Sequence, residues 1–296
     1  MKREKKPWDR RIKLQNFNFH SPASLEDALT YLSDHAETCK IIAGGTDLIP
    51  NLRTEKLYPM HMLNVLELEE LSGISENENT IRIGPTTTFT ELIETTLINR
   101  FLPLLVKASS QVGGPQIRNR GTIGGNICTG SPAADVLPAV IALDAELELR
   151  SKKNGTRRIA ASEAVQAPYN SNLGPDELLT GIFIHKLKPG ARCAYEKIAT
   201  RNAMARAFMN LSIVLQRDEE GVISDVRIVP GAMMAFARRI TVAEEVLAGK
   251  KPDEFLIAKA AETLLGDLKG VWIPDYKIPV FRNIFKRLLG ELLLKS

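Results

Sequence analysis

The chain has 296 residues, 44% hydrophobic and 25% charged, the make-up of a soluble globular protein long enough for two domains rather than one. Its 39 Lys and Arg against 35 Asp and Glu leave a formal charge of +4, too weak and, apart from a basic start at Lys2, Arg3, Lys5, Lys6, Arg10 and Arg11, too evenly spread to indicate nucleic acid. That start lacks the apolar stretch of a secretory signal, and no run of about eighteen apolar residues occurs, so a cytoplasmic protein without a membrane span is expected.

The first predicted helix opens at Ser24-Leu25-Glu26-Asp27, where Ser24 can cap and Leu25, Ala28, Leu29 and Leu32 share one face. A short, partly β-branched strand over Cys39 to Ala43 runs into Gly44-Gly45, with Thr46 placed to cap a turn beginning at Asp47. Strands are expected at His61 to Val65 and Thr80 to Gly84, the latter after a turn at Glu76 to Asn79. Thr88-Phe89-Thr90-Glu91 reads as a capping box, and Leu102 to Val112 as a helix stopped by Gly113-Gly114-Pro115. A buried helix at Leu137 to Leu143 precedes a strand at Glu146 to Arg150, which alternates with period two, and a further strand at Leu178 to Ile184.

Polar sequence with Pro189-Gly190 then suggests a domain boundary. Beyond it lie expected strands at Cys193 to Ala199, Ala207 to Gln216 and Val222 to Val229, helices near Thr241 to Leu247 and Glu254 to Leu265, and an amphipathic helix over Val280 to Leu294.

Three cysteines, Cys39, Cys128 and Cys193, stand far apart. They fit a reducing compartment and fall short of the usual all-cysteine ligand set of an iron–sulfur cluster. The four histidines, His20, His35, His61 and His185, are scattered along the chain and suggest neither a metal site nor a catalytic base.

Chemistry concentrates at two glycine pairs, Ala43-Gly44-Gly45-Thr46-Asp47 and Gly121-Thr122-Ile123-Gly124-Gly125-Asn126. Glycine allows close backbone approach to an anion, so the pair reads as two halves of a cradle for a diphosphate inside a long ligand. On that reading, a β-branched residue at Gly45 or Gly124 would abolish cofactor retention and leave the fold largely intact. Downstream, Asp135 in Ser131-Pro132-Ala133-Ala134-Asp135 is open to two accounts: a helix N-terminal residue favoured by the macrodipole, or an acceptor for a ligand group.

The blocks AGGTDL (Ala43 to Leu48), TIGGNI (Thr122 to Ile127) and SPAAD (Ser131 to Asp135) resemble the FAD-binding subunit of the xanthine dehydrogenase group of molybdenum hydroxylases, which includes carbon monoxide dehydrogenase medium chains. The likeness runs from about Phe17 to Leu289, with Tyr195 to Arg201 and Asp275-Tyr276-Lys277 matching the family's C-terminal domain. It implies an α+β fold: a basic arm over 1–14, a PCMH-type FAD-binding region over 15–188 with two α/β subdomains divided near 58–61, and a small α+β domain resembling the CO dehydrogenase flavoprotein C-terminal domain over 189–296.

The resemblance further implies FAD held by Ile41, Ile42, Ala43, Gly44, Gly45, Thr46, Asp47 and Leu48 and by Thr122, Ile123, Gly124, Gly125 and Asn126. Asp135, Leu179 and Lys197 would reach the cofactor, and Val112 stands where relatives carry a bulkier aromatic. No catalytic acid or base and no metal ligand is implied on this chain. A cysteine-rich insertion for an extra cluster, as in the aryl-CoA reductase branch, is absent. The implied partners are a molybdenum-cofactor large subunit and a [2Fe-2S] small subunit, with NAD among the possible acceptors. Two other readings stay open: a self-contained flavin oxidase of the vanillyl-alcohol oxidase type, and a cofactor-free scaffold of the same fold.

Overall fold

The structure, a computed structural model, describes residues 16–54, 56–201, 204–268 and 273–294. The basic arm expected over 1–14 lies outside them.

The chain begins with β1 (Asn18–His20), α1 (Leu25–His35), β2 (Cys39–Ile42), α2 (Leu48–Arg53) and β3 (His61–Asn64). The strands form a parallel sheet in the order β1-β3-β2. The Ser24 hydroxyl accepts the Asp27 amide at 3.2 Å, and α1 lays Ala28, Leu29 and Leu32 on Leu63, Val65 and Leu71. β3, which follows the expected break near 58–61, pairs with both β1 and β2 and so shares one sheet with the strands before it.

A second layer pairs β4 (Ile74–Asn77), β5 (Thr80–Ile83), β6 (Glu146–Ser151), β7 (Gly155–Ala160) and β10 (Leu178–His185) as an antiparallel sheet ordered β4-β5-β10-β6-β7. The turn expected at Glu76 to Asn79 is the tip of the β4–β5 hairpin, whose first strand the polar sequence concealed. A short ribbon of β8 (Val165–Ala167) and β9 (Asn170–Ser171) stands beside the sheet. Between β5 and β6 run α3 (Phe89–Glu94), α4 (Thr96–Phe101), α5 (Pro103–Ser110), α6 (Pro115–Arg118), α7 (Ile123–Thr129) and α8 (Leu137–Ala142). The expected capping box is complete: Thr88 Oγ1 accepts the Glu91 amide at 3.2 Å and the Glu91 carboxylate accepts the Thr88 amide at 2.7 Å.

The remainder is an antiparallel meander of β11 (Arg192–Ala199), β12 (Ala207–Arg217) and β13 (Ile223–Gly231), followed by α9 (Thr241–Leu247), α10 (Glu254–Asp267) and α11 (Lys277–Leu293). Phe281, Phe285, Leu288, Leu289 and Leu292 recur at helical spacing on α11 and are buried with the inner residues of α10 and the meander. The opposite face of the meander sends Val214 and Val229 into the core of the second layer. Across this junction Asn210 donates to the Ala134 carbonyl and Arg227 to that of Ala142, each at 3.1 Å. The C-terminal segment is thereby seated against α8 and the Ala134 segment that leads into it.

Candidate functional site

The chain leaves β2 at Ile42 and turns through Ala43–Asp47 into α2. Gly45 sits at φ +70°, a left-handed backbone that a side chain strains. A Cβ on Gly44 would overlap the carbonyl oxygen of Arg120, so the two glycine blocks meet backbone to backbone. The amides of Gly44, Gly45, Thr46, Asp47 and Leu48 donate to no partner among the described residues. Thr46 does not cap α2. The N-cap position is Asp47, whose carboxylate instead accepts the Asn51 side-chain amide at 3.0 Å.

The second block behaves differently, because it is the first turn of α7. Thr122 Oγ1 accepts the Gly125 amide at 3.1 Å, while the amides of Ile123, Gly124 and Asn126 donate to Thr87 O, Pro85 O and Thr122 O at 3.0, 2.8 and 3.1 Å. These amides are occupied inside the protein, unlike those of the first block. A Cβ at Gly124 would stand 2.6 Å from the Pro85 Cβ, so a β-branched residue there would disturb packing as well as any ligand. Replacement of Gly124 is therefore not the clean probe the sequence suggested. Ile123 turns into the core, whereas Gly125 and Asn126 face outward, and the buried Asn126 Oδ1 has no hydrogen-bond partner among the described residues.

The two blocks border a cleft made of two adjoining cavities, of about 740 and about 320 Å³. Ile41, Ala43, Asp47, Leu48, Gly125, Thr129, Tyr169 and Arg206 line both and so mark its waist. Gly124 and Leu179 face the larger cavity; Ile42, Gly44, Gly45, Thr46, Val112, Thr122, Asn126 and Asp135 face the smaller. Ile123 and Lys197 line neither. Lys197 stands behind the wall, its side chain 5% exposed, donating to Asp135 Oδ2 at 2.7 Å and to Gln111 O at 2.9 Å.

Asp135 caps nothing, since the N-cap of α8 is Val136. Burial pushes its carboxyl above the ordinary aspartate range and the Lys197 ammonium pulls it back. Its second oxygen, Oδ1, is buried and meets no donor at hydrogen-bond distance among the described residues, although the Tyr195 hydroxyl and the Asn210 side chain face the carboxyl and also hold it down. Cys128, which lines the larger cavity, has its thiol pushed up to about 12 by burial.

Sequence reasoning missed Tyr169 and Arg206. Tyr169 occupies the β8–β9 turn at φ +58° with its side chain exposed to the cleft; the Pro168-Tyr169-Asn170-Ser171 cluster was a legible turn signal, but not a legible position. Three of the four histidines, scattered along the chain, are brought together, while His185 stands apart beside Thr80. His20 stacks on Tyr31 at 4.2 Å, His35 on His61 at 3.8 Å, and Tyr31 Oη meets His61 Nδ1 at 2.9 Å, because α1 packs across β1 and β3. Among the described residues no group of three or more His, Cys, Asp or Glu is placed to share a metal ion.

Residues 15–187 match the family described as the FAD binding domain in molybdopterin dehydrogenase. The chain belongs to this family. Residues 194–292 match the CO dehydrogenase flavoprotein C-terminal domain. The nicotinate dehydrogenase FAD-subunit of Eubacterium barkeri is 33% identical over 288 residues, 95% of this chain and 97% of that protein. The carbon monoxide dehydrogenase medium chain of Hydrogenophaga pseudoflava is 30% identical over 280 residues, 93% and 96% of the two chains. Among solved structures, a chain of reconstituted CO dehydrogenase from Oligotropha carboxidovorans superposes with a TM-score of 0.89 at 28% identity, covering 95% of this chain and 99% of that one. As a member of this family the chain is an FAD-binding subunit of a molybdenum hydroxylase-type oxidoreductase.

Proposed function

We propose that FAD lies along the cleft, that electrons reach it from iron–sulfur clusters on a [2Fe-2S] small subunit after substrate oxidation on a molybdenum-bearing large subunit, and that they leave to an acceptor such as NAD. The observation that carries this reading is the row of five amides, Gly44 to Leu48, without a partner among the described residues, which runs along the smaller cavity to the waist it shares with the larger. Successive amides of that kind suit a diphosphate joining two ring systems.

Bound there, FAD supplies the two-electron chemistry, and the protein's task is to hold, orient and shield it. The first block holds the diphosphate through main-chain N–H groups. The orphaned oxygens of Asn126 and Asp135 accept from ligand N–H or hydroxyl groups, and Val112 and Leu179 furnish apolar walls that keep water out. Lys197 acts through Asp135, fixing the orientation of its carboxylate. The site divides between an FAD-binding region over 15–188 and a C-terminal domain over 189–296, the latter supplying Lys197 and Arg206.

Native purification of the full chain, with identification of the chains that come with it and analysis of flavin, molybdenum and iron, tests the reading. A yellow complex with FAD on this chain and both metals on its partners is expected. A chain that purifies alone, colourless, and takes up no added FAD would refute it; one that is yellow and oxidises an organic substrate unaided would make it a self-contained oxidase instead.

A further inference from the structure

Arg206 is the basic residue at the waist of the cleft, and among the described residues it makes no hydrogen bond or ion pair. It is placed by the last part of the β11–β12 connection, the strap 204–206: the Met204 amide donates to Gly113 O at 3.2 Å, and the Arg201 guanidinium donates to Met204 O at 2.7 Å. Met204 takes φ +53°, a backbone conformation that costs energy unless surrounding contacts hold it, as these two do. The strap therefore delivers a guanidinium from the C-terminal segment to the waist of the cleft, which Ala43, Asp47 and Leu48 of the first glycine block line from their own side.

That side carries a carboxylate, Asp47, which repels an anionic ligand. Main-chain amides contribute only partial positive charge. A diphosphate at this point calls for a full cation, and the planar fork of arginine matches phosphate oxygens.

We infer that Arg206 is the counter-charge of the cofactor's diphosphate, so that FAD binding ties the β11–β12 strap to the first glycine block. The inference rests on the reading that FAD occupies the cleft. It makes Arg206 a positioning residue that discriminates ligands by their phosphates, and it makes the C-terminal segment part of the cofactor site rather than a support for it.

The test is flavin binding to the apo form of the full chain, with FAD and riboflavin as probes, for wild type, Arg206→Gln and Arg206→Lys. Riboflavin lacks the phosphates. Arg206→Gln should weaken FAD binding about ten- to hundredfold, the loss of a charge-assisted hydrogen-bonded contact, while changing riboflavin binding less than about twofold. Arg206→Lys should recover part of the loss, and added salt should weaken FAD binding more in wild type than in the Gln variant. FAD binding within about twofold of wild type in Arg206→Gln overturns the inference, as does an equal loss for both flavins, which would mean a shape defect. If wild-type protein binds no FAD at all, the cleft reading itself falls first.

Discussion

Replacing Lys197 by Met isolates the Asp135–Lys197 pair. The ammonium and carboxylate meet at 2.7 Å with side chains only 5% and 11% exposed, and Lys197 also serves the Gln111 carbonyl at 2.9 Å. Removing one partner of a buried pair strands the other charge in a poorly hydrated site, at a cost of about 3–5 kcal/mol at neutral pH. Removing both charges together, as Asp135→Asn with Lys197→Met, should recover most of that loss, because two neutral groups of similar volume pay no charge desolvation.

The sign of the pH dependence follows from burial. Asp135 holds its proton more tightly in the native protein than in the unfolded chain, and Lys197 limits that tendency. A carboxyl raised in this way contributes most stability below its unfolded value and loses it as pH climbs through the native value. Without Lys197 the native value rises further, so the penalty of Lys197→Met should be smaller in acid, where protonation relieves the stranded carboxylate, than at neutral and alkaline pH. Urea unfolding of the FAD-free protein, followed by circular dichroism in acid and at neutral pH, measures it, with the double variant as the pH-independent control. A loss under about 1 kcal/mol, a pH-independent loss, or a double variant no more stable than the single would refute the reasoning.

Two further outcomes separate packing from binding. Gly44→Ala should lower the melting temperature of the FAD-free protein, since its Cβ overlaps the Arg120 carbonyl, at about 1–3 kcal/mol or more. Gly125→Ala meets only Thr122 Oγ1 at 3.0 Å, so it should leave melting nearly unchanged yet weaken FAD uptake; thermal scans with flavin absorbance distinguish them, and equal melting shifts would contradict the assignment. Cys128, half-buried in the wall of the larger cavity with its thiol pushed up to about 12, should be alkylated slowly at mildly alkaline pH in the folded protein for want of thiolate rather than of access, and labelling as fast as in the unfolded chain, read by mass spectrometry, would count against the raised thiol.

Local pattern carried much of this protein. The caps at Ser24 and Thr88, the alternation of β6 and the apolar stripe of α11 are short-range features whose periods survive folding, and the two glycine blocks touch at Gly44 and Gly121 and line one cavity. What local pattern could not tell was which glycine block keeps its amides free. Both blocks read alike, but packing on Pro85 and Thr87 consumes those of α7, while the turn after β2 leaves its own unspent. Long-range contacts likewise decided that Lys197 stands behind Asp135 and that Arg206, distant in sequence from either block, reaches the waist of the cleft. Those are facts of sheet stacking, and no window of neighbouring residues contains them.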